Sequence, residues 1–285
     1  MRGINIFDLK RARLPVPPVP EQIVIAAFLD RETGKIDALV AEQQRLIELL
    51  KEKRQAVISH AVTKGLNPCV PLKESGVEWL GAVPAGWRLE RGKFLYSKLE
   101  LEPEAGDGVV TSFRDGQVTL RENRRTDGFT LAILEVGYQR VRKGDLVIHG
   151  MDAFAGAIGV SESTGKCTPE YSVLEPVRPG LDNNYFALVL RLMALRDYIL
   201  VICPSVRERA PRFRYESFKD VVLPVPPHEE QRAILERVAS EVARLDELAV
   251  EAKRAIDLLH ERRTALVSAL VTGQIDVREV AGRAA

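Results

Sequence analysis

The sequence predicts an α+β chain: one mixed α/β domain flanked by two long helices that pair with each other. Three observations predict it. A phrase near the start, "LPVPPVPEQ" (Leu14 to Gln22), returns near the end as "LPVPPHEEQ" (Leu223 to Gln231), and each heads about fifty residues that match without gaps. Both copies carry apolar residues at heptad-like spacing. The stretch between them has another grammar, rich in glycine, turns and short β-branched runs.

The repeat is the first element to justify, because a long internal repeat fixes architecture before any local detail. With Leu14 placed on Leu223, an offset of 209 residues, Ile25 falls on Ile234, Glu32 on Glu241, Asp37 on Asp246, Arg45 on Arg254 and Leu49-Leu50 on Leu258-Leu259. Pro15, Pro17 and Pro18, and in the second copy Pro224, Pro226 and Pro227, stop what precedes and give an extended lead-in. Glu21 and Glu230 then stand in the first turn, where the helix dipole favours a carboxylate. The first expected stripe is Ile36, Leu39, (Gln43), Ile47, Leu50, Val57 and Ala61; the second is Leu245, Leu248, (Ala252), Ile256, Leu259, Leu266 and Leu270. Gly65 and Gly273 close the helices. A helix of some forty residues is about 60 Å long. A single apolar stripe of that length cannot be buried on a small domain, and the other copy is the expected partner. The alternative, each helix lying across a globular domain, does not require two stripes that match position for position. Gly34, which costs roughly 1 kcal/mol against alanine, is the expected place for a bend.

The middle region reads as strands and one helix. "GDLVIHG" (Gly144 to Gly150) and "GAIGVS" (Gly156 to Ser161) are glycine-edged strands, and "CTPEYSVLEPV" is a turn and a strand. "YFALVLRLMALRDYILVIC" (Tyr185 to Cys203) is an amphipathic core helix; Arg191, Arg196 and Asp197 would make a membrane span costly.

Net charge is only +1 over 285 residues, so any anion-binding surface is local. Residues 70–222 hold 21 Lys and Arg against 21 Asp and Glu, yet the arginines are clumped. "RENRR" (Arg121 to Arg125) has three in five residues and "RERAPRFR" (Arg207 to Arg214) has four in eight. Arginine pairs bidentately with phosphate or a guanine edge and stacks on bases. The candidate DNA contacts are Arg114, Arg121, Arg124, Arg125, Arg207, Arg209, Arg212 and Arg214. Against this stands a solvated loop, or arginines paired with Glu122 and Glu208. Trp79, Trp87 and Met151 are expected in the core; Asp152 is open to either role.

Catalytic chemistry is not legible. The cysteines Cys69, Cys167 and Cys203 form no CxxC pair, which fits a reducing compartment. "GVSESTGKC" places five residues between its glycines and a cysteine after its lysine, so it is no phosphate loop. His60, His149, His228 and His260 make no close metal pair. The expectation is a binding protein with no cofactor, no metal and no catalytic residues.

The combination "LPVPPHEEQRAI", the charged helix after it and "ALVSALVTGQIDV" resembles the conserved region of type I restriction–modification specificity subunits; so do "LPVPPVPEQIVIAAFLDRETGKIDALV" and "RQAVISHAVTKGL". "ESGVEWLGAVPAGWRLERGKF" (Glu74 to Phe94) resembles the opening of a target recognition domain in that family, and "GDLVIHGMDAFAGAIGVS" its middle. The resemblance implies a target recognition domain at 66–222 that reads one half of a split double-stranded DNA site. It implies spacer helices at 21–65 and 230–273 that pack as an antiparallel coiled coil and dock methyltransferase subunits, with the restriction subunit joining through the complex. The protein itself would be a non-catalytic, cytoplasmic subunit with no membrane association. A full subunit runs domain, helix, domain, helix. Here residues 1–20 look like the exit of a preceding recognition domain, 223–229 is the counterpart lead-in, and 274–285 is a tail. The expectation is a half-type or truncated subunit, in which a homodimer or pairing with another specificity chain restores two domains. The rival is a coiled-coil scaffold that binds protein and no DNA.

Overall fold

The computed structural model of the chain describes residue 11 and residues 16–124, 136–203 and 212–277. They divide into two compact units: a helical unit within residues 1–53 and 243–285, and a mixed unit, Arg54–Val242.

The long helices are α1, Val19–Lys64, with 46 residues, and α5, His228–Val271, with 44. Their first residues are 209 apart, the offset of the sequence repeat. The repeat extends to single hydrogen bonds. Glu21 and Gln22 amides donate to Pro18 O at 2.9 and 3.0 Å; Glu230 and Gln231 amides donate to Pro227 O at 2.9 and 3.0 Å. The side chain of Gln22 donates to Pro17 O at 2.8 Å, and that of Gln231 to Pro226 O at 2.9 Å. In each copy proline stops the chain, its carbonyl accepts the first helical amides, and the glutamine amide closes the turn behind it.

Within the helical unit the buried residues include Ile36, Val40, Leu50, Leu245, Ala252 and Leu270, and Arg263 Nε lies 3.4 Å from Asp37 Oδ1. The stripe differs from the expected one at one position in each copy. Leu39 and Leu248 are 44% and 42% exposed. Their neighbours Val40 (8% exposed) and Ala249 (part-buried) turn inward. Spacings of four, three, four and three from Ile36 lead to Val40, Gln43, Ile47 and Leu50, a heptad seam that skips Leu39. The helix runs through Gly34 without interruption.

The mixed unit contains β1 (Leu72–Glu74), β2 (Ala82–Pro84), β3 (Arg88–Arg91), β4 (Tyr96–Lys98), β5 (Val110–Ser112), β6 (Val118–Leu120), β7 (Gln139–Val141), β8 (Leu146–His149), β9 (Ile158–Val160), β10 (Gly165–Cys167) and β11 (Tyr171–Pro176). Then follow α2 (Asn183–Leu195), α3 (Tyr198–Ile202), α4 (Tyr215–Phe218) and β12 (Val222–Val225). An antiparallel sheet in the order β4-β11-β8-β9 forms the centre, and β1-β2, β3-β12, β5-β6 and β7-β10 pair antiparallel beside it. The expected strands fall on β8, β9 and β11. The exit strand β12 includes Pro224, which a two-stranded ladder tolerates.

Helix α2 starts where Asp182 accepts the Asn184 amide at 2.9 Å. It buries Tyr185, Phe186, Val189, Leu190 and Met193 in the main core, with Trp79 and Trp87 as expected. The expected single helix to Cys203 is broken. Asp197 takes a left-handed conformation (φ 56°), and the charged pair Arg196-Asp197 is exposed where a continuous helix would carry it past the core. Ala61 and Val62 of α1 and Ile234 and Val238 of α5 belong to the same core. Polar contacts fix the junction. Trp87 Nε1 donates to Glu230 Oε2 at 2.9 Å, and Tyr185 Oη to Val62 O at 3.2 Å. Fully buried Gln231 accepts from the Asp182 amide at 2.9 Å and donates to Gly180 O at 3.1 Å. No described helix is long and apolar enough to cross a membrane.

Candidate nucleic-acid interface

A cleft of about 700 Å³ opens between the β5–β6 hairpin and the turn after β8. The hairpin turn spans Phe113–Gln117: the Phe113 amide donates to Gln117 O at 2.8 Å and the Gly116 amide to Phe113 O at 2.8 Å. Gly116 sits at φ 91°, a conformation that a side chain strains. The short 3-10 turn Arg121–Asn123 continues from β6 and places Arg121 and Arg124 on the same cleft as Arg114. The opposite wall is His149, Met151 and Asp152, with Tyr171 at the base.

Five of the eight candidate arginines are described: Arg114, Arg121 and Arg124 line this cleft, and Arg212 and Arg214 do not. Arg114 Nη2 is 2.9 Å from Asp152 Oδ1. Arg124 Nη1 is 2.7 Å from Asp115 Oδ2, and its guanidinium lies over the Phe113 ring, 4.2 Å from the centroid. Arg121 Nε donates to Thr111 Oγ1 at 3.4 Å. Arg212 and Arg214 both reach Glu170, at 2.9 and 3.3 Å. Between them Phe213 is buried and its amide donates to Gly150 O at 2.9 Å, which ties this segment to the wall that carries Met151 and Asp152. Arg125, Arg207 and Arg209 lie outside the described residues, as does Glu208, one of the two acids expected to pair with them.

The carboxylates that hold the arginines are Asp115, Asp152 and Glu170. Burial alone would raise the Asp115 carboxyl, but the Gln117 amide and Arg124 outweigh it and hold it below the ordinary carboxylate range. His149 accepts the Asp152 amide at Nδ1 (3.2 Å) and packs on Tyr171 with centroids 4.4 Å apart. Burial pushes its pKa down, against an opposing pull from Asp152. Asp115 stands in an Asp-Gly turn, which a sequence can signal. Nothing local signals Glu170, which is 42 and 44 residues from Arg212 and Arg214. Met151, expected in the core, is 37% exposed on the rim, because the next turn sends Ala153 inward instead. Chemically, the cleft presents Arg114 and Arg124, held at 2.9 and 2.7 Å by Asp152 and Asp115, while Arg212 and Arg214 are held the same way by Glu170 outside its lining. A phosphate oxygen or a base edge can take the place of such a carboxylate.

The fold so defined is a mixed α/β domain entered and left through long repeated helices. No family model matches the chain. Over 96% of its length it is 22% identical to the type I restriction enzyme EcoBI specificity subunit of Escherichia coli and 23% identical to the EcoKI specificity subunit of E. coli K12, each match covering 61% of the relative. An 82-residue stretch is 32% identical to the StySPI specificity subunit of Salmonella potsdam. In fold it matches the HsdS subunit from Thermoanaerobacter tengcongensis with a TM-score of 0.56 and 16% identity, over 96% of this chain and 65% of that one. A chain from a study of complex assembly and conformational transition in the type I restriction–modification system gives a TM-score of 0.62 at 17% identity, covering 90% and 60%. Along nearly its whole length the chain is thus similar to type I restriction enzyme specificity subunits, in line with the sequence resemblance. It spans about 60% of the length of these relatives.

Proposed function

We propose that the chain is a DNA-recognising specificity subunit of a type I restriction–modification enzyme, reading one half of a split site. The observation that carries this reading is the convergence of Arg114, Arg121 and Arg124 on one cleft, with Arg212 and Arg214 beside it. These side chains come from sequence positions a hundred residues apart. Residues 66–222 are the target recognition domain. The segments 21–65 and 230–273 are spacer helices that pair antiparallel as a coiled coil, and their charged faces dock methyltransferase subunits. The ion pair Arg263–Asp37 and the heptad spacing of the buried residues support the pairing. Residues 1–20 and 223–229 are lead-ins of one kind, and 274–285 is a tail. The twin hydrogen-bonded starts at Pro18 and Pro227 support two equivalent joints. A second copy of the chain, or another specificity chain, supplies the second recognition domain; a homodimer would then read a palindromic split site.

The test is a methylome. The chain is expressed with its neighbouring methyltransferase subunit in a host lacking other adenine methylation, and the DNA is sequenced with modification detection. A single split motif is expected. Replacing a base-reading arginine with alanine should relax one position at about 1–3 kcal/mol, whereas loss of a phosphate contact should weaken all sequences alike. Failure to yield any motif, with no salt-sensitive DNA binding by the purified chain, overturns the reading in favour of a scaffold.

A further inference from the structure

A second cleft, of about 510 Å³, lies on the other side of the Phe113–Gln117 turn and is built within the mixed unit alone. Its walls are apolar: Ile58 of α1, Leu188 of α2, and Leu235, Val238 and Val242 of α5, over Ile158 and Val160 of β9. Lys143, Arg191 and Arg54 line it, with Glu162 as the carboxylate among its lining residues. Glu162 is already engaged, accepting from Gln117 Nε2 at 2.9 Å.

Arg191 is the unusual member. It is a part-buried residue of α2 that lies against the hairpin turn, where a Cβ on Gly116 would overlap its guanidinium. It forms no hydrogen bond or ion pair with a described residue. Burial and the nearby Arg54 both work against its charge; Asp115 is the carboxylate that supports it, and Asp115 is paired with Arg124. Its guanidinium nitrogens are not sealed from solvent, so they are open to a ligand that enters the cleft. The volume is that of a small-molecule site, and an apolar wall with a few convergent polar groups is the usual composition of one.

We propose that this cleft binds a small amphiphilic anion, a carboxylate or phosphate monoester on a short apolar chain. Its charge sits on Arg191 and Lys143 and its chain lies along Ile58, Leu188, Leu235 and Val242. The site is separate from the arginine cleft and does not depend on DNA recognition.

The test uses the full chain and calorimetric titration with hexanoate, hexyl phosphate, inorganic phosphate and 1-hexanol. Hexanoate or hexyl phosphate should bind, and whichever binds more tightly identifies the headgroup. Inorganic phosphate and 1-hexanol should each bind at least about tenfold more weakly, since each lacks half of the ligand. Arg191→Met should weaken the anion by about tenfold, the loss of a charge-assisted contact. Lys143→Gln, on the exposed rim, gives the same direction without touching the core, and circular dichroism checks that both variants fold. Equal binding of inorganic phosphate, equal binding of 1-hexanol, or anion binding that survives both substitutions overturns the proposal, as does no binding at all.

Discussion

Arg114 reaches Asp152, Arg124 reaches Asp115, and Arg212 and Arg214 share Glu170, so a phosphate that pairs with these guanidinium groups must displace a carboxylate. Exposed pairs of this kind are worth about 1 kcal/mol or less. Asp152→Asn and Glu170→Gln should therefore raise affinity for non-specific duplex DNA by up to about fivefold. Fluorescence anisotropy at two salt concentrations checks it; unchanged or weaker binding would mean the carboxylates orient the arginines and do not compete. His149 carries a pH dependence. It is part-buried beside Tyr171 with Asp152, Glu170 and Arg114 around it, and burial holds its folded pKa below the ordinary 6.5. The unfolded chain then takes up the proton first, so the contribution of His149 is complete above pH 6.5 and is lost as pH falls through the folded value. Thermal melts between pH 7.5 and 5 should show this loss, and His149→Gln should remove that part of it. At this scale the sequence announced the arginines by their clumping. Their partners were hidden, because Asp152 and Glu170 stand 38 to 44 residues away and only the fold makes them neighbours.

Among the elements, the helices were legible in outline and misread in detail at one rotation. Leu39 and Val40 are both apolar, and a 3-4 or a 4-3 step from Ile36 satisfies the same pattern, so periodicity alone does not choose between them. Burial chooses Val40 in the first copy and Ala249 over Leu248 in the second. Val40→Ala should cost about 1–1.5 kcal/mol from its lost methyl groups, and Leu39→Ala close to nothing, in urea unfolding. The break at Arg196-Asp197 was illegible for a different reason. The apolar residues continue beyond it, and the stop comes from where two charges fall relative to the core. At the junction, Gln231 is fully buried with three partners, the Asp182 amide, Gly180 O and Pro226 O. Gln231→Leu strands them and should destabilise the mixed unit by about 1–3 kcal/mol. Gln22→Leu, at the matching place in α1, should cost less, because Gln22 is exposed and Pro17 O is the one partner of its side chain among the described residues.

For the whole molecule, the repeat and the change of grammar between its copies gave the order helix, domain, helix, while the strand pairing inside the domain needed coordinates. β4 pairs with β11 across more than seventy residues, a partnership that short β-branched runs do not encode. If the helices act as a ruler between two recognition domains, one heptad inserted in each should lengthen the unread spacer by about three base pairs, from about 10 Å of added helix. Methylome sequencing of the lengthened protein decides it, and an unchanged spacer removes the ruler. The matched starts of α1 and α5 have a genetic consequence as well. Because the two joints share one ungapped register and the same proline and glutamine bonds, a crossover within the gene between the copies would remain in frame. It would delete one domain with one helix, 209 codons, and leave a continuous joint. Run in reverse between two such genes, the same event would insert a different middle domain as an interchangeable cassette.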